Sequence, residues 1–182
     1  MQNPKAWPKL KSEAGPELIV ARARFDTLEN PRTGKTLRAT VLEAPEWVNV
    51  VALTPDDQVV LVRQYRFGSE RLTTEIPGGV VDPGEAPLEA AKRELREETG
   101  YTSNAWSLLA RVEPNPAFLN NHCHQFLARG AERTHETELD AGEDILVLTA
   151  DEAQLLAWIT DGQVAHSLVL SALGRVFDLR SA

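Results

Sequence analysis

Hydrophobic and polar residues alternate along the first part of the chain and then give way to short apolar runs. The alternation covers residues 17–26 and 35–43, and it is typical of strands that bury one face. A turn-forming segment, residues 30–34 (NPRTG), lies between them. The pattern therefore predicts an N-terminal β-hairpin. Residues 1–16, which contain three prolines, are expected to form a loosely structured arm.

Apolar runs bounded by turn formers predict further strands downstream. A helix is expected to follow Asp151, an N-cap residue, and to end near Thr160, and an amphipathic pattern predicts a last helix over residues 167–179. Residues 129–143 are polar and acidic and show no period. This mixture of strands and helices predicts an α+β domain. The predicted strands are residues 47–53, 58–65, 73–76, 107–112, 122–128 and 145–148.

A sharply bounded helix is predicted in the middle of the chain. Residues 83–84 (PG) are a turn signal, Pro87 suits a first helical turn, and Gly100 is placed to cap the C-terminus. At about 100° per residue, the apolar side chains share one arc and three glutamates share the neighbouring arc. The apolar arc holds Leu88, Ala91 and Leu95, and the acidic arc holds Glu94, Glu97 and Glu98.

The acidic arc predicts a cation site. Carboxylates at this spacing repel one another by roughly a few tenths of a kcal/mol per pair unless a cation neutralises them. Mg²⁺ binds oxygen ligands and is typically held by one or two carboxylates together with substrate phosphates. A solvated helix face is the ordinary alternative. Arg93, one turn before Glu97 and able to orient it, and Glu85, in the preceding glycine loop, favour the cation site.

The spacing of these residues matches a known pattern. Gly79, five residues, Glu85, seven residues and then residues 93–100 (RELREETG) resemble the Nudix box of enzymes that hydrolyse nucleoside diphosphates linked to another moiety. Tyr101 departs from the box, where the family usually has an aliphatic residue. The resemblance implies an α/β/α sandwich with a mixed β-sheet, to which this chain adds its N-terminal β-hairpin.

The resemblance also implies a ligand set for the metal. Glu94 and Glu98 are the principal ligands that it implies for Mg²⁺, for which Mn²⁺ can substitute. Glu97 and Glu85 support them, and the backbone carbonyl of Gly78 contributes a further ligand. The reaction that it implies is substitution at phosphorus.

Features outside the box indicate a branch of the family. Residues 61–66 (LVRQYR), 75–79 (EIPGG) and 142–145 (GEDI), together with Pro116 sixteen residues beyond Gly100, resemble the ADP-ribose and nucleoside diphosphate sugar pyrophosphatases. The implied substrate is therefore a nucleotide sugar.

Five residues are assigned to substrate binding on this basis. Arg66 is a plausible bidentate phosphate ligand, although a surface arginine at a strand end is the alternative. Glu75 belongs to the same set. Pro116 and Phe118 supply a rigid loop against which a sugar or base could pack. Trp47 is a candidate for stacking on a base, and a core or interface tryptophan is an equally good interpretation.

The resemblance to this branch implies a glutamate base in the loop before the penultimate strand, which here is the acidic loop of residues 136–144. Glu143, in the GEDI segment, is our candidate, and Glu97 within the box is the alternative. If the family's base lies two residues before Glu143, that position holds Ala141 in this chain. The other carboxylates of the loop are Glu136, Glu138, Asp140 and Asp144.

Composition limits the classes of partner that the protein can bind and the cell compartment in which it is expected. The net charge is −8 and the isoelectric point is near 5.1, which argues against a general nucleic-acid binder. The single cysteine, Cys123, excludes an internal disulfide, and no apolar run approaches the ~20 residues of a membrane span. We expect a cytoplasmic enzyme without nucleic-acid or membrane partners. The resemblance to this branch further implies a homodimer that forms through residues 1–44, with residues 45–182 as the hydrolase domain.

Other functions stay open at this point. A Nudix enzyme of another specificity would act on dinucleoside polyphosphates, oxidised nucleotides or coenzyme A. A non-catalytic sensor of ADP-ribose-like ligands would normally lose box carboxylates or add a DNA-binding domain. If the chain were a structural interaction domain, the repulsion within its intact acidic cluster would have no explanation.

Overall fold

The computed structural model describes residues 3–181, which fall into two units. The first unit runs to Pro45 and also contains Glu113–His122. The second unit holds Glu46–Val112 and the chain from Cys123 onward.

A three-stranded antiparallel sheet forms most of the first unit, with strands β1 (Lys9–Glu17), β2 (Arg22–Glu29) and β3 (Thr36–Glu43) in that order. The predicted hairpin is confirmed in β2 and β3. The turn between them is closed by a hydrogen bond from the amide of Asn30 to the carbonyl of Lys35, at 2.8 Å.

The loosely structured arm predicted for residues 1–16 is wrong from residue 9 onward, because β1 pairs with β2 as an edge strand. Pro16 lies where the register between β1 and β2 shifts, and an edge position tolerates proline because its missing N–H breaks no ladder. Residues 18–21, predicted as part of the hairpin's first strand, form the turn between β1 and β2 instead. Residues 1 and 2 of the predicted arm lie outside the described residues.

The second unit is built on a six-stranded mixed sheet. Its strands are β4 (Trp47–Leu53), β5 (Val59–Arg66), β6 (Arg71–Glu75), β8 (Ala105–Val112), β9 (Cys123–Arg129) and β11 (Leu146–Ala150). The order is β11-β5-β4-β9-β8, with β6 paired to the C-terminal half of β5. Strands β4 and β9 are parallel, and the other pairs are antiparallel. Two short strands, β7 (Tyr101–Thr102) and β10 (Glu132–Arg133), form a separate pair that the sequence pattern did not predict.

Helices cover both faces of this sheet. Helix α1 (Pro87–Thr99) buries Ala90, Ala91 and Leu95 against Val48 and Val50 of β4. Because successive strand residues point to opposite faces, the intervening residues of β4 pack on the other side, where α2 (Glu152–Thr160) and α3 (Ser167–Leu173) lie. This is the predicted α/β/α sandwich.

The helix bounds largely follow the predictions. Pro87 occupies the first turn of α1, and Gly100 caps it in the left-handed conformation, with φ of 76°. Asp151 caps α2 by accepting a hydrogen bond from the amide of Gln154, at 2.8 Å. The last helix is shorter than predicted: α3 ends at Leu173, and a single 3₁₀ turn follows at Leu179–Ser181. Among residues 3–181, no helix is long and apolar enough to cross a membrane.

Candidate active site

Residues 77–79 form a glycine segment between β6 and α1. This segment runs beside β4 and offers one carbonyl oxygen to a ligand. The amides of Val50 and Val48 donate to the carbonyls of Pro77 and Gly79, at 2.8 and 2.9 Å. The carbonyl of Gly78, between them, accepts no hydrogen bond from any described residue. Glycine is required here because a Cβ on Gly78 would lie 2.2 Å from the carbonyl oxygen of Val48.

Glu98 is the buried carboxylate of the site. It is 4% exposed, and it accepts a hydrogen bond from the amide of Gly78 at 2.9 Å. Burial raises the pKa of Glu98 to about 8, and repulsion from Glu94 and Glu143 adds to the effect. Burial and the neighbouring carboxylates disfavour the ionised form of Glu98, and a bound cation would stabilise that form.

Arg93 holds the rest of the acidic cluster together. Its guanidinium contacts both oxygens of Glu85 at 3.1 and 3.0 Å, Glu94 at 2.9 Å and Glu97 at 3.3 Å. It also donates to the carbonyl of Val80 at 3.0 Å. The arrangement includes the predicted contact with Glu97 and extends it, because one arginine organises three carboxylates from a loop and a helix.

Glu94 lies between the glycine segment and Arg93. Burial raises the pKa of Glu94, while Arg93 opposes the effect. A Cβ on Gly79 would lie 2.4 Å from Oε1 of Glu94. The glycine at position 79 therefore makes room for this carboxylate.

The oxygen donors fit a divalent cation that is completed by a ligand. Within residues 3–181, no group of three or more His, Cys, Asp or Glu side chains forms a ready-made metal site. Glu94, Glu98 and the carbonyl of Gly78 nevertheless supply the few oxygen ligands that Mg²⁺ uses when substrate phosphates supply the others. Arginines bond to both oxygens of Glu85 and to both oxygens of Glu97, whereas Arg93 bonds to only one oxygen of Glu94, so supporting positions suit Glu85 and Glu97 better than direct coordination.

A cavity of about 260 Å³ adjoins these residues in the second unit. Trp47, Arg66, Gly78, Gly79 and His166 are among the residues that line it. Two other cavities are larger: one of about 450 Å³ lies in the first unit, and one of about 400 Å³ is lined by Glu85 and Arg93 among others. The cavity of about 260 Å³ is the candidate active site because it contains Arg66 together with Gly78, whose amide is bonded to Glu98.

Arg66 is held in the cavity wall by Glu75. Nε and Nη2 of Arg66 donate to the two oxygens of Glu75, both at 2.8 Å, and Thr73 and His166 bond to the same carboxylate at 2.6 and 3.3 Å. Burial alone would raise the pKa of Glu75, but the hydrogen bonds from Arg66, His166 and Thr73 hold it well below its usual range. Arg66 is thus a fixed cation rather than a mobile surface side chain.

The family can now be assigned. The NUDIX domain model matches residues 45–168 of this chain. The chain belongs to the Nudix family.

Two bacterial proteins are similar to this chain over most of its length. An ADP-ribose pyrophosphatase of Bacillus subtilis (strain 168) is 34% identical over 141 residues, covering 74% of this chain and 76% of the relative. A methanol dehydrogenase activator of Bacillus methanolicus is 33% identical over 157 residues, covering 85% of this chain and 83% of the relative. These similarities, with the family match, identify the chain as a Nudix hydrolase.

The fold agrees with a solved Nudix structure. The crystal structure of an ADP compounds hydrolase superposes with a TM-score of 0.84 at 24% sequence identity, covering 97% of this chain and 95% of that chain. Because the sequence identity is only 24%, this similarity shows that the two proteins share a fold and shows nothing about activity.

The predicted base and three of the predicted substrate-binding residues lie in other parts of the structure than the acidic cluster of α1. Glu143 lies in the acidic loop, where its side chain accepts a hydrogen bond from the amide of Asp140 at 2.9 Å, and its charge affects Glu94, Glu98 and Arg66. Pro116 and Phe118 belong to the first unit, where the amide of Leu42 donates to the carbonyl of Phe118 at 2.7 Å. Trp47 begins β4 and pairs with Val80 through a single β-bridge.

Sequence reasoning missed His166. It stands alone in the chain, outside every motif, and it reaches the site only because α3 packs against β4 and β9. No local pattern signals such a residue.

Proposed function

We propose that this Nudix hydrolase cleaves the diphosphate bond of ADP-ribose or another nucleoside diphosphate sugar, giving a nucleoside monophosphate and a sugar phosphate. The observation that carries the proposal is the position of Arg66. It is locked by Glu75 in a cavity that also contains the Gly78-Gly79 backbone, and Gly78 is bonded to Glu98. The relative that is an ADP-ribose pyrophosphatase supports the substrate class.

Each part of the site has a role in binding the diphosphate. Arg66 is a planar donor suited to phosphate oxygens, and the ion pair with Glu75 fixes its orientation before substrate arrives. Glu94, Glu98 and the carbonyl of Gly78 would hold Mg²⁺, with Mn²⁺ as a substitute. When bound, the cation neutralises the negative charge that develops on the leaving phosphate. Glu85 and Arg93 keep the acidic side chains in place around it.

Glu143 accepts the proton of the attacking water in this proposal. Its charge acts on both Glu94 and Glu98. Glu97 is the weaker candidate, because its two oxygens are bonded to Arg96 at 3.0 Å and to Arg93 at 3.3 Å. These bonds occupy lone pairs that a base needs.

A homodimer is the proposed assembly. The first unit exposes large apolar side chains, and an isolated three-stranded sheet gains stability by covering such a surface. A second copy with two-fold symmetry would cover it. Pro116 and Phe118 stay proposed substrate-binding residues. The exposed large apolar residues of this unit are Trp7, Leu10, Leu18, Ile19, Val20, Leu37 and Phe118.

The substrate is tested by a hydrolysis panel with Mg²⁺. ADP-ribose, several nucleoside diphosphate sugars, nucleoside triphosphates, dinucleoside polyphosphates and coenzyme A are compared by kcat/KM, and the products are identified by mass spectrometry. A nucleotide sugar is expected to give the highest value and to yield a nucleoside monophosphate. A highest value for any other class would refute the substrate proposal. Binding of nucleotide sugars without any hydrolysis would indicate a sensor.

A further inference from the structure

His166 occupies a helix N-cap without acting as a cap. It precedes α3 in an extended conformation, with φ of −69° and ψ of 125°, and its side chain makes no capping hydrogen bond. Ser, Thr, Asp and Asn are the usual residues at such a position, because their oxygens accept from the helix amides. The ring instead contacts Glu75, with Nδ1 lying 3.3 Å from Oε2. The side chain of His166 is therefore committed to the cavity rather than to the helix.

The carboxylate of Glu75 has no capacity left for a ligand. Its side chain is only 3% exposed, and it accepts from Nε and Nη2 of Arg66, Oγ1 of Thr73 and Nδ1 of His166. Four donors fill the roughly four lone-pair positions of a carboxylate. Glu75 thus orients Arg66 and His166 and contacts nothing else in the site.

Arg66 and His166 each keep one nitrogen that can bind a ligand. Nη1 of Arg66 and Nε2 of His166 have no hydrogen-bond partner within residues 3–181. Both side chains are partly exposed, at 44% and 41%, and both line the cavity that contains Gly78 and Gly79. Two nitrogen donors anchored on one buried carboxylate form a clamp suited to an anion.

We propose that His166 is a substrate-binding residue that contacts the diphosphate through Nε2, beside Arg66. The inference rests on the proposed function, because it takes the diphosphate as the group bound in this cavity. When both ring nitrogens carry hydrogens, Nδ1–H is held by Glu75 and Nε2–H donates to a phosphate oxygen.

Isosteric variants separate the two nitrogens of His166. His166→Asn can keep an amide N–H near Nδ1 for Glu75 but removes Nε2, whereas His166→Gln can place an amide near Nε2. Binding of the non-hydrolysable probe α,β-methylene-ADP with Mg²⁺ is measured by calorimetry. His166→Asn is expected to weaken binding about tenfold, equivalent to about 1.4 kcal/mol, and His166→Gln to restore part of the affinity. The control is His135→Ala, at an exposed histidine of the loop after β10.

A double-mutant cycle with Arg66→Ala distinguishes direct contact from support of Arg66. If His166 binds the ligand itself, His166→Asn still weakens binding in the Arg66→Ala background. Loss of the effect in that background would overturn the proposal, as would absence of any measurable binding of the probe by the wild-type protein. Turnover adds a second readout, since KM of the best substrate should rise while kcat stays within about threefold. Because the probe lacks a sugar on its distal phosphate, a preference for a different sugar would not affect this result.

Discussion

At the scale of single residues, the two glycines of the site have different reasons to be glycine. A Cβ on Gly79 meets the end of a flexible side chain, the carboxylate of Glu94, whereas a Cβ on Gly78 meets the backbone of Val48 at 2.2 Å. Gly79→Ala should therefore displace Glu94 and leave the fold intact, while Gly78→Ala should destabilise the fold.

The expected result for Gly79→Ala is at least a tenfold higher Mg²⁺ concentration for half-maximal activity, with a thermal midpoint within about 2 °C of wild type. Gly78→Ala should lower the midpoint by more than about 5 °C. Activity titrations and differential scanning calorimetry measure both effects. A Gly79→Ala enzyme with wild-type Mg²⁺ dependence would exclude Glu94 as a ligand.

Glu98 makes a second prediction at this scale. Its pKa in the folded protein, about 8, lies above its ordinary value of 4.5, so between these values the folded state retains a proton that the unfolded state has lost. Folding stability of the metal-free protein should therefore fall as pH rises from about 5 to 8. Glu98→Gln, which is neutral throughout, should remove more than ~1 kcal/mol of this decrease and lower turnover at least a hundredfold.

Urea unfolding in EDTA at pH 5.5 and 8.0 measures the first effect, and steady-state kinetics at saturating Mg²⁺ measures the second. Glu89→Gln, at an exposed glutamate of the same helix, is the matched control. Identical pH profiles for wild type and Glu98→Gln, or turnover within threefold of wild type, would contradict the assignment of Glu98.

At the scale of elements, the sequence predicted what is decided locally. The caps of α1 and α2 and the acidic arc with Glu94 and Glu98 depend on spacing within a few residues, so periodicity was sufficient. Strand β1 was missed because its stability comes from its partner β2 rather than from its own composition. The cavity wall was partly missed for the same reason, since His166 meets Glu75 only through the packing of α3.

The attachment of β1 to β2 can be tested at Asp26. This carboxylate is 3% exposed and accepts a hydrogen bond from Ser12 at 2.6 Å, with Lys9 at 3.1 Å and Arg24 also bonded to it. Bonds from Ser12, Arg24 and Lys9 outweigh burial and lower the pKa of Asp26 to about 2. Asp26→Asn should therefore loosen β1.

Hydrogen exchange followed by mass spectrometry should show faster exchange in residues 9–17 of Asp26→Asn, with little change in α1. In the wild type the same segment should lose protection as pH falls from about 4 toward 2, after correction for intrinsic exchange, because a group with a lowered pKa stabilises the fold only while it is ionised. Asp57→Asn, in the exposed turn before β5, is the control. Unchanged protection of residues 9–17 in Asp26→Asn would show that this ion pair cluster does not hold the strand.

At the scale of the whole molecule, a charge of −8 opposes an anionic substrate. Cationic contacts must therefore be concentrated in the cavity, which is consistent with Arg66 held rigidly at its wall. The exposed apolar turn of the first unit, residues 18–20, makes that unit the candidate for assembly.

We predict that the protein is a homodimer and that this turn lies in the interface. Ile19→Glu combined with Val20→Glu should produce monomers, because two carboxylates would be buried without partners at each copy of the contact. Sedimentation velocity at micromolar concentration measures the change, and Thr33→Glu, in the exposed turn between β2 and β3, is the matched control. Deletion of residues 1–44 should likewise give monomers or aggregates with sharply reduced substrate affinity. A wild-type protein that sediments as a monomer and keeps full activity would rule the assembly out, and a dimer unaffected by the double substitution would place the interface elsewhere.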